Sequence, residues 1–307
     1  MEQLAKLVDD GAFYEAHQHL NTLIFRHMRG KRYTKAFDLM KSTIEKFVEV
    51  KQIRSAGDIS RDLIENYDRA NIPPEEWLET LSELTKLFDK STVQFGEDLH
   101  KEALKQLVEI MQHAMFKASH GDAPVPAALH TLVAQAYHAQ GSLPLALEHY
   151  LLGDPALESI VRLTVDWAKR CPAEADLVLT RTVLRMLADE RRRITGASSV
   201  YRKFCQTFPG DTESGSPPGL LPPRATVAAT PLTNFTAMLL KLVRMANKGD
   251  VESATPLFQH LLETYGPELG RDESFADEIQ RISKIYFKIM PAPAGGLQGM
   301  LSSLFGM

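Results

Sequence analysis

One short pattern recurs along the chain and limits it to paired helices. "GAFYEA" places Gly11, Phe13 and Ala16 at offsets of zero, two and five. "GSLPLALEHY" repeats this with Gly141, Leu143 and Ala146, followed by His149 and Tyr150, and "GDVESATPLF" with Gly249, Val251 and Ala254, followed by Leu257. In "GKRYTKAFDLM" the glycine lies one residue further back, giving Gly30, Tyr33, Ala36 and Leu39. "GDISRDL" supplies Gly57 and Ile59 but has Asp62 in the alanine slot. The physics is that of a helical hairpin. Glycine takes the left-handed conformation that ends one helix. The next apolar residue packs back on that helix. Alanine, three later on the same face, lets two helices approach closely, and the large residue beyond it fills the core.

This resembles the second half of a tetratricopeptide unit, but the spacing is irregular. Gly11 and Gly30 are 19 residues apart and Gly141 and Gly249 are 108 apart, whereas a regular array repeats near 34. Any tight helix turn can produce one such pattern; four near-copies favour repeats. The expectation is all-α: a right-handed superhelical α-solenoid of degenerate tetratricopeptide-like hairpins.

Helical periodicity carries that expectation along the chain. "YEAHQHLNTLIFRHM", "YTKAFDLMKSTIEKFVEV" and "ISRDLIENYDRA" have apolar residues at i, i+3, i+4 and i+7. Pro73 and Pro74 suit a helix start, with Asn71 as a cap. Further helices are expected at 75–88, 96–118, 126–140, 144–152, 156–169, 173–188, 193–207, 232–247, 250–264 and 271–289. Between 193–207 and 232–247 lies "FPGDTESGSPPGLLPPRATVAATP", Phe208 to Pro231, which is too rich in Gly and Pro for a helix. It reads either as a disordered linker or as a short β-hairpin arm near 208–231 built on Leu220, Leu221 and Val227. The chain closes with "MPAPAGGLQGMLSSLFGM", where Leu297, Met300, Leu301, Leu304 and Phe305 form an apolar stripe that needs a groove on its own fold or on a partner.

Few kinds of chemistry fit this sequence. The formal net charge is -4, against the strongly basic face that nucleic-acid binding needs. Cys171 and Cys205 are the 2 cysteines; so few in so long a chain suggest a reducing compartment. The first residues carry acid and no apolar run, so a secretory signal is not expected. No phosphate-binding Gly-x-x-x-x-Gly-Lys-Ser/Thr loop is present, and no Gly-x-Ser-x-Gly elbow. His17 and His19 are two apart and point to different helix faces; His113 and His120 lack a completing ligand nearby in sequence. The expectations are no enzymatic activity, no cofactor and no metal.

Two charge features stand out. "RHMRGKRYTK" gathers Arg26, His27, Arg29, Lys31, Arg32 and Lys35 around a helix–helix turn, more than the helix dipole requires. The helix after next carries Asp58, Asp62, Glu65 and Asp68; the first three share a face. Either these are solvated faces, or the N-terminal part presents both signs to a charged partner, which favours orientation and fast association.

The stretches "YEAHQHLNTL", "LHTLVAQAYHAQGSLPLALEHYLLGD", "YGPELGRDESFADEIQRISKIYF" and "GGLQGMLSSLFG" together resemble one family over nearly the whole chain. It is the family of the fourth guided-entry-of-tail-anchored-proteins factor, whose animal counterpart is the 35-kilodalton subunit of the transmembrane-domain recognition complex. "SAGDISRD" stands where the family has a more glycine-rich loop, and 208–231 has its own sequence. The resemblance implies a cytosolic helical adaptor. Residues 1–150 would hold the dimeric ATPase that carries tail-anchored membrane proteins, through Arg26, Arg29 and Lys31, with Asp58 and Glu65 restraining ATP hydrolysis. Residues 151–307 would hold the N-terminal segment of a ubiquitin-like protein, with the arm bearing Leu220, Leu221 and Val227 clasping it. That partner in turn recruits a co-chaperone. A heterotetramer follows from the partner's own dimerisation, with no nucleic acid bound and no direct membrane insertion.

Overall fold

The computed structural model describes residues 2–90, 92–120, 124–208 and 230–289, and among them every regular element is helical. The α-helices are α1 (Glu2–Asp9), α2 (Phe13–Arg29), α3 (Tyr33–Glu49), α4 (Ile53–Arg69), α5 (Pro74–Asp89), α6 (Glu97–Ala118), α7 (Ala127–Gln140) and α8 (Leu143–Leu152), then α9 (Leu157–Arg170), α10 (Ala175–Ala188), α11 (Ile194–Thr207), α12 (Pro231–Asn247), α13 (Val251–Leu269) and α14 (Ser274–Phe287). The expected arm at 208–231, with Leu220, Leu221 and Val227, lies almost wholly outside the described residues, as does the 297–305 stripe.

The chain divides into two compact units, Met1–Pro155 and Ala156–Met307. In the first, a module of 20 residues is visible in the backbone. Left-handed residues fall at Gly11, Lys31, Lys51 and Asn71, each just past a helix end. Each turn closes with the same long backbone bond: Ala12 N–H donates to Leu7 C=O, Arg32 to His27, Gln52 to Phe47 and Ile72 to Tyr67. This satisfies carbonyls that a helix end would otherwise leave unpaired. Two residues after each of the first three left-handed residues the next helix opens with Phe13, Tyr33 or Ile53. Three residues later come Ala16, Ala36 and Ala56, all fully buried. Ile24, Ile44 and Ile64 close the same face one helix after another, also buried. Consecutive hairpins result: α2 on α3, α3 on α4, α4 on α6, α6 on α7 and α7 on α8.

The backbone corrects the repeat in three places. Gly30 has φ −82°, and Lys31 takes the left-handed slot at φ 54°. Gly57 is no turn at all: it is buried within α4, where an added Cβ would lie 2.2 Å from Gln106 Oε1. "SAGDISRD" is accordingly helix, and the copy of the pattern belonging here is Lys51, Ile53 and Ala56. Asn71 caps nothing; it is the left-handed residue after α4, and Pro73 precedes α5.

In the second unit α10 is the centre, packing against α9, α11, α12 and α14. It is buried nearly all round, from Leu177 to Ala188. α12 pairs with α13, and the pattern returns at Gly249 (φ 105°), Val251 and the fully buried Ala254. α13 runs past the expected end at 264 to Leu269, through Pro267. Pro267 removes one backbone donor, but the burial of Gly266 and Leu269 holds this last turn.

Candidate functional site

The first unit contains two charged regions on neighbouring hairpins. At the turn from α2 to α3, Arg26, Arg29, Lys31, Arg32 and Lys35 are all exposed. Among the described residues, none of these five cations forms a salt bridge. His27 sits among them with its Nδ1 buried and without a hydrogen-bond partner. Burial, then Arg32 and Lys35, lower its pKa and so favour the neutral ring. Beside it Phe25 is 65% exposed, an aromatic that the chain leaves in water next to two arginines.

The acidic region is arranged the other way. Asp58 on α4 pairs with Arg61 one turn on. Arg61 also reaches across to α6, bonding Glu109 and Gln106 Oε1, each at 3.0 Å. Glu65 accepts from Lys117 Nζ of α6 at 2.7 Å and lies 3.4 Å from Arg69. Lys117 also holds Asp68 at 3.4 Å. The Lys117 hydrogen bond is the main cause of a lowered Glu65 pKa. Arg54 and Glu102, bonded at 2.9 Å, extend the seam by one more turn. The α4–α6 surface is therefore a ladder of ion pairs, and both Asp58 and Glu65 belong to it.

A groove of about 410 Å³ lies between α2, the start of α3 and α4. Ile24, Phe25 and Met28 of α2 and Tyr33 of α3 line one wall, and Asp62, Glu65, Asn66 and Arg69 of α4 line the other. Asp62 is exposed by area, yet the groove strips water from its carboxyl and raises its pKa, with Asp58 adding to the rise and His17 opposing it. Arg26, Arg29 and Lys31 thus form one exposed basic turn, and Asp58 and Glu65 lie on the adjoining helix, seven residues apart. Sequence reasoning missed Arg61, Glu109 and Lys117. Arg61 is detectable as an i+3 partner of Asp58; Lys117 lies 52 residues from Glu65 and has no local signal.

Among the described residues no group of three or more His, Cys, Asp or Glu side chains could hold a metal ion, and no helix is long and apolar enough to cross a membrane.

Stacked helical hairpins carrying a charged, ladder-rimmed groove define a protein-binding scaffold of the α-helical repeat class. The family model for Golgi to ER traffic protein 4 matches residues 30–305, and the chain belongs to that family. The Golgi to ER traffic protein 4 homolog of Bos taurus is 28% identical over 312 residues, covering 99% of this chain and 86% of the relative. That of Dictyostelium discoideum is 27% identical over 299 residues, covering 96% and 84%. Among solved structures, the crystal structure of C. therm. Get4 superposes with a TM-score of 0.66 at 23% identity, covering 100% of this chain and 95% of that one. The same all-α solenoid fold is shared.

Proposed function

We propose that this chain is a non-enzymatic cytosolic adaptor in the guided entry of tail-anchored proteins. Family membership gives the coarse role, a part in the Golgi-to-ER traffic complex with partner proteins. The finer reading assigns the N-terminal unit to the dimeric targeting ATPase. Arg26, Arg29 and Lys31 attract it, and Asp58 and Glu65 act on it to restrain hydrolysis. The C-terminal unit holds the N-terminal segment of a ubiquitin-like protein, using Leu220, Leu221 and Val227, and through it a substrate-loaded co-chaperone. Holding both raises the effective concentration for handover. The expected assembly is a heterotetramer.

The observation that carries this reading is the contrast at the groove. Among the described residues, cations without salt-bridge partners stand at the α2–α3 turn and paired acids on α4, the next helix, so one surface can steer an oppositely charged partner into one orientation. The test uses the purified full-length protein and its charge-reversed variants. Arg26→Glu with Arg29→Glu should weaken capture of the ATPase at least about tenfold and leave the ubiquitin-like partner bound. Asp58→Lys and Glu65→Lys should bind the ATPase and release its hydrolysis. If both pairs leave binding and hydrolysis unchanged, the site assignment is wrong and only the helical scaffold stands.

A further inference from the structure

The α7–α8 hairpin brings together two histidines that lie 19 residues apart. Its turn is made by Gly141, left-handed at φ 95°, and Ser142 N–H bonds back to Tyr137 C=O. Folding back in this way sets His130 Nδ1 3.1 Å from His149 Nδ1. The ring centroids are 5.3 Å apart and the rings are tilted by 34°. Tyr137 packs against His149 at 5.6 Å, and its hydroxyl accepts from Gln112 Nε2 at 2.9 Å, so the ring that His149 leans on is itself held.

We infer that His130 and His149 form a two-imidazole site for a divalent transition-metal ion, zinc being the reference case. A tetrahedral zinc with Zn–N bonds of about 2.0–2.1 Å separates two nitrogen ligands by roughly 3.3 Å. The pair is within a few tenths of an ångström of that spacing. In the hydrogen-bonded pair the lone pair lies near the line that joins the two nitrogens, so each ring must turn by roughly 35° for both lone pairs to converge on a tetrahedral ion. Without metal, one Nδ1–H donates to the other Nδ1. With metal, that proton moves to Nε2 of its own ring, so both imidazoles stay neutral and both Nδ1 lone pairs reach the ion with no net proton release. The pair gives two protein ligands, and the remaining positions belong to water or to a side chain from a partner. Coordination links α7 to α8 across the open ends of the hairpin, so the expected consequence is a stiffer hairpin rather than catalysis. This site is independent of the adaptor reading, since none of its residues lies in the charged groove.

The experiment titrates untagged, metal-free, full-length protein with cobalt(II) chloride and then zinc chloride. One equivalent of cobalt(II) should give a visible d–d band that zinc abolishes. Long-range ¹H–¹⁵N spectra should show the Nδ1 resonances of His130 and His149 shifting together on zinc addition. His130→Gln and His149→Gln should each weaken binding at least about tenfold, the lower end of what disturbing even a ligand's supporting hydrogen bond does. His120→Gln should bind as the wild type. The inference is overturned if the His130→Gln/His149→Gln double variant binds zinc as tightly as wild type. It is overturned equally if saturating zinc leaves both Nδ1 resonances of the wild-type protein in place, a readout that needs no variant to fold.

Discussion

The basic turn and the α4–α6 seam carry opposite charge on one unit, and the chain treats them in opposite ways. The cations at 26–35 are exposed and stand without salt-bridge partners among the described residues, whereas Asp58, Glu65 and Asp68 are each tied to a cation of their own unit. Exposed pairs contribute little to stability, so the seam's ladder serves chiefly to fix where its carboxylates stand. The lesson is that a charged surface can be built for two different tasks. Free cations can form new pairs at full strength, while carboxylates already in pairs must exchange one partner for another and so suit modulation better than attachment.

The largest test of that contrast is to reverse the free charges. Arg26→Glu, Arg29→Glu and Lys31→Glu together should cost about 3 kcal/mol of affinity for the proposed ATPase partner, about a hundredfold, with a weakened dependence on salt. Helical content should not change, because no native pair is lost. If instead the triple variant unfolds, the turn is structural and the contrast fails.

A smaller effect separates the seam from the core beneath it. Gly57 is buried against Gln106, whose amide oxygen accepts from Arg61. Gly57→Leu should displace Gln106, loosen Arg61 from α6 and destabilise the unit by about 1–3 kcal/mol, the usual cost of overpacking. Urea unfolding measures it. Stability equal to wild type would mean that the seam is not braced from below.

Lys31 sharpens the comparison further, because it belongs to the turn by charge and to the fold by backbone. Its φ of 54° is a conformation that a non-glycine residue occupies at a cost. Lys31→Gly should therefore raise stability by about 1 kcal/mol while weakening capture of the proposed ATPase partner. Opposite signs in the two assays would mark Lys31 as kept for binding at the expense of the turn. A loss in both would make it structural.

The same position shows how far the sequence could be read. Helix existence was legible almost throughout, since apolar periodicity is a property of each segment alone. The repeat was legible where glycine holds the left-handed slot, at Gly11, Gly141 and Gly249. It is hidden where lysine or asparagine does, at Lys31, Lys51 and Asn71, because Gly30 and Gly57 nearby offer false glycine positions. A glycine inside a helix and a glycine ending one look alike until the packing around them is known. Likewise the signs of the charged site were visible, but its pairing was not. Glu65 finds Lys117 only because α4 packs on α6, which no local pattern announces.

The finest division runs within α4 itself, where two acids three residues apart shift in opposite directions. Glu65 is held below the ordinary carboxylate range, chiefly by the Lys117 hydrogen bond. Its contribution to stability is present above its unfolded pKa, about 4.3, and is lost as pH falls through its lower folded value. Asp62 is raised, chiefly by burial against the groove. Its contribution is complete below its unfolded pKa, about 3.9, and is lost as pH rises through its higher folded value. On acidification the two therefore act in sequence: protonation of Asp62 first favours the fold, and protonation of Glu65 at lower pH then opposes it. Asp62→Asn should remove the upper effect and Lys117→Gln should weaken the lower one, as read from urea midpoints between about pH 3 and pH 6. Side-chain carboxyl NMR assigns each step to its residue. If both acids titrate together in the wild type, the Lys117 bond does not set Glu65 apart from Asp62, and the separation between tethered and untethered charge does not extend to single residues.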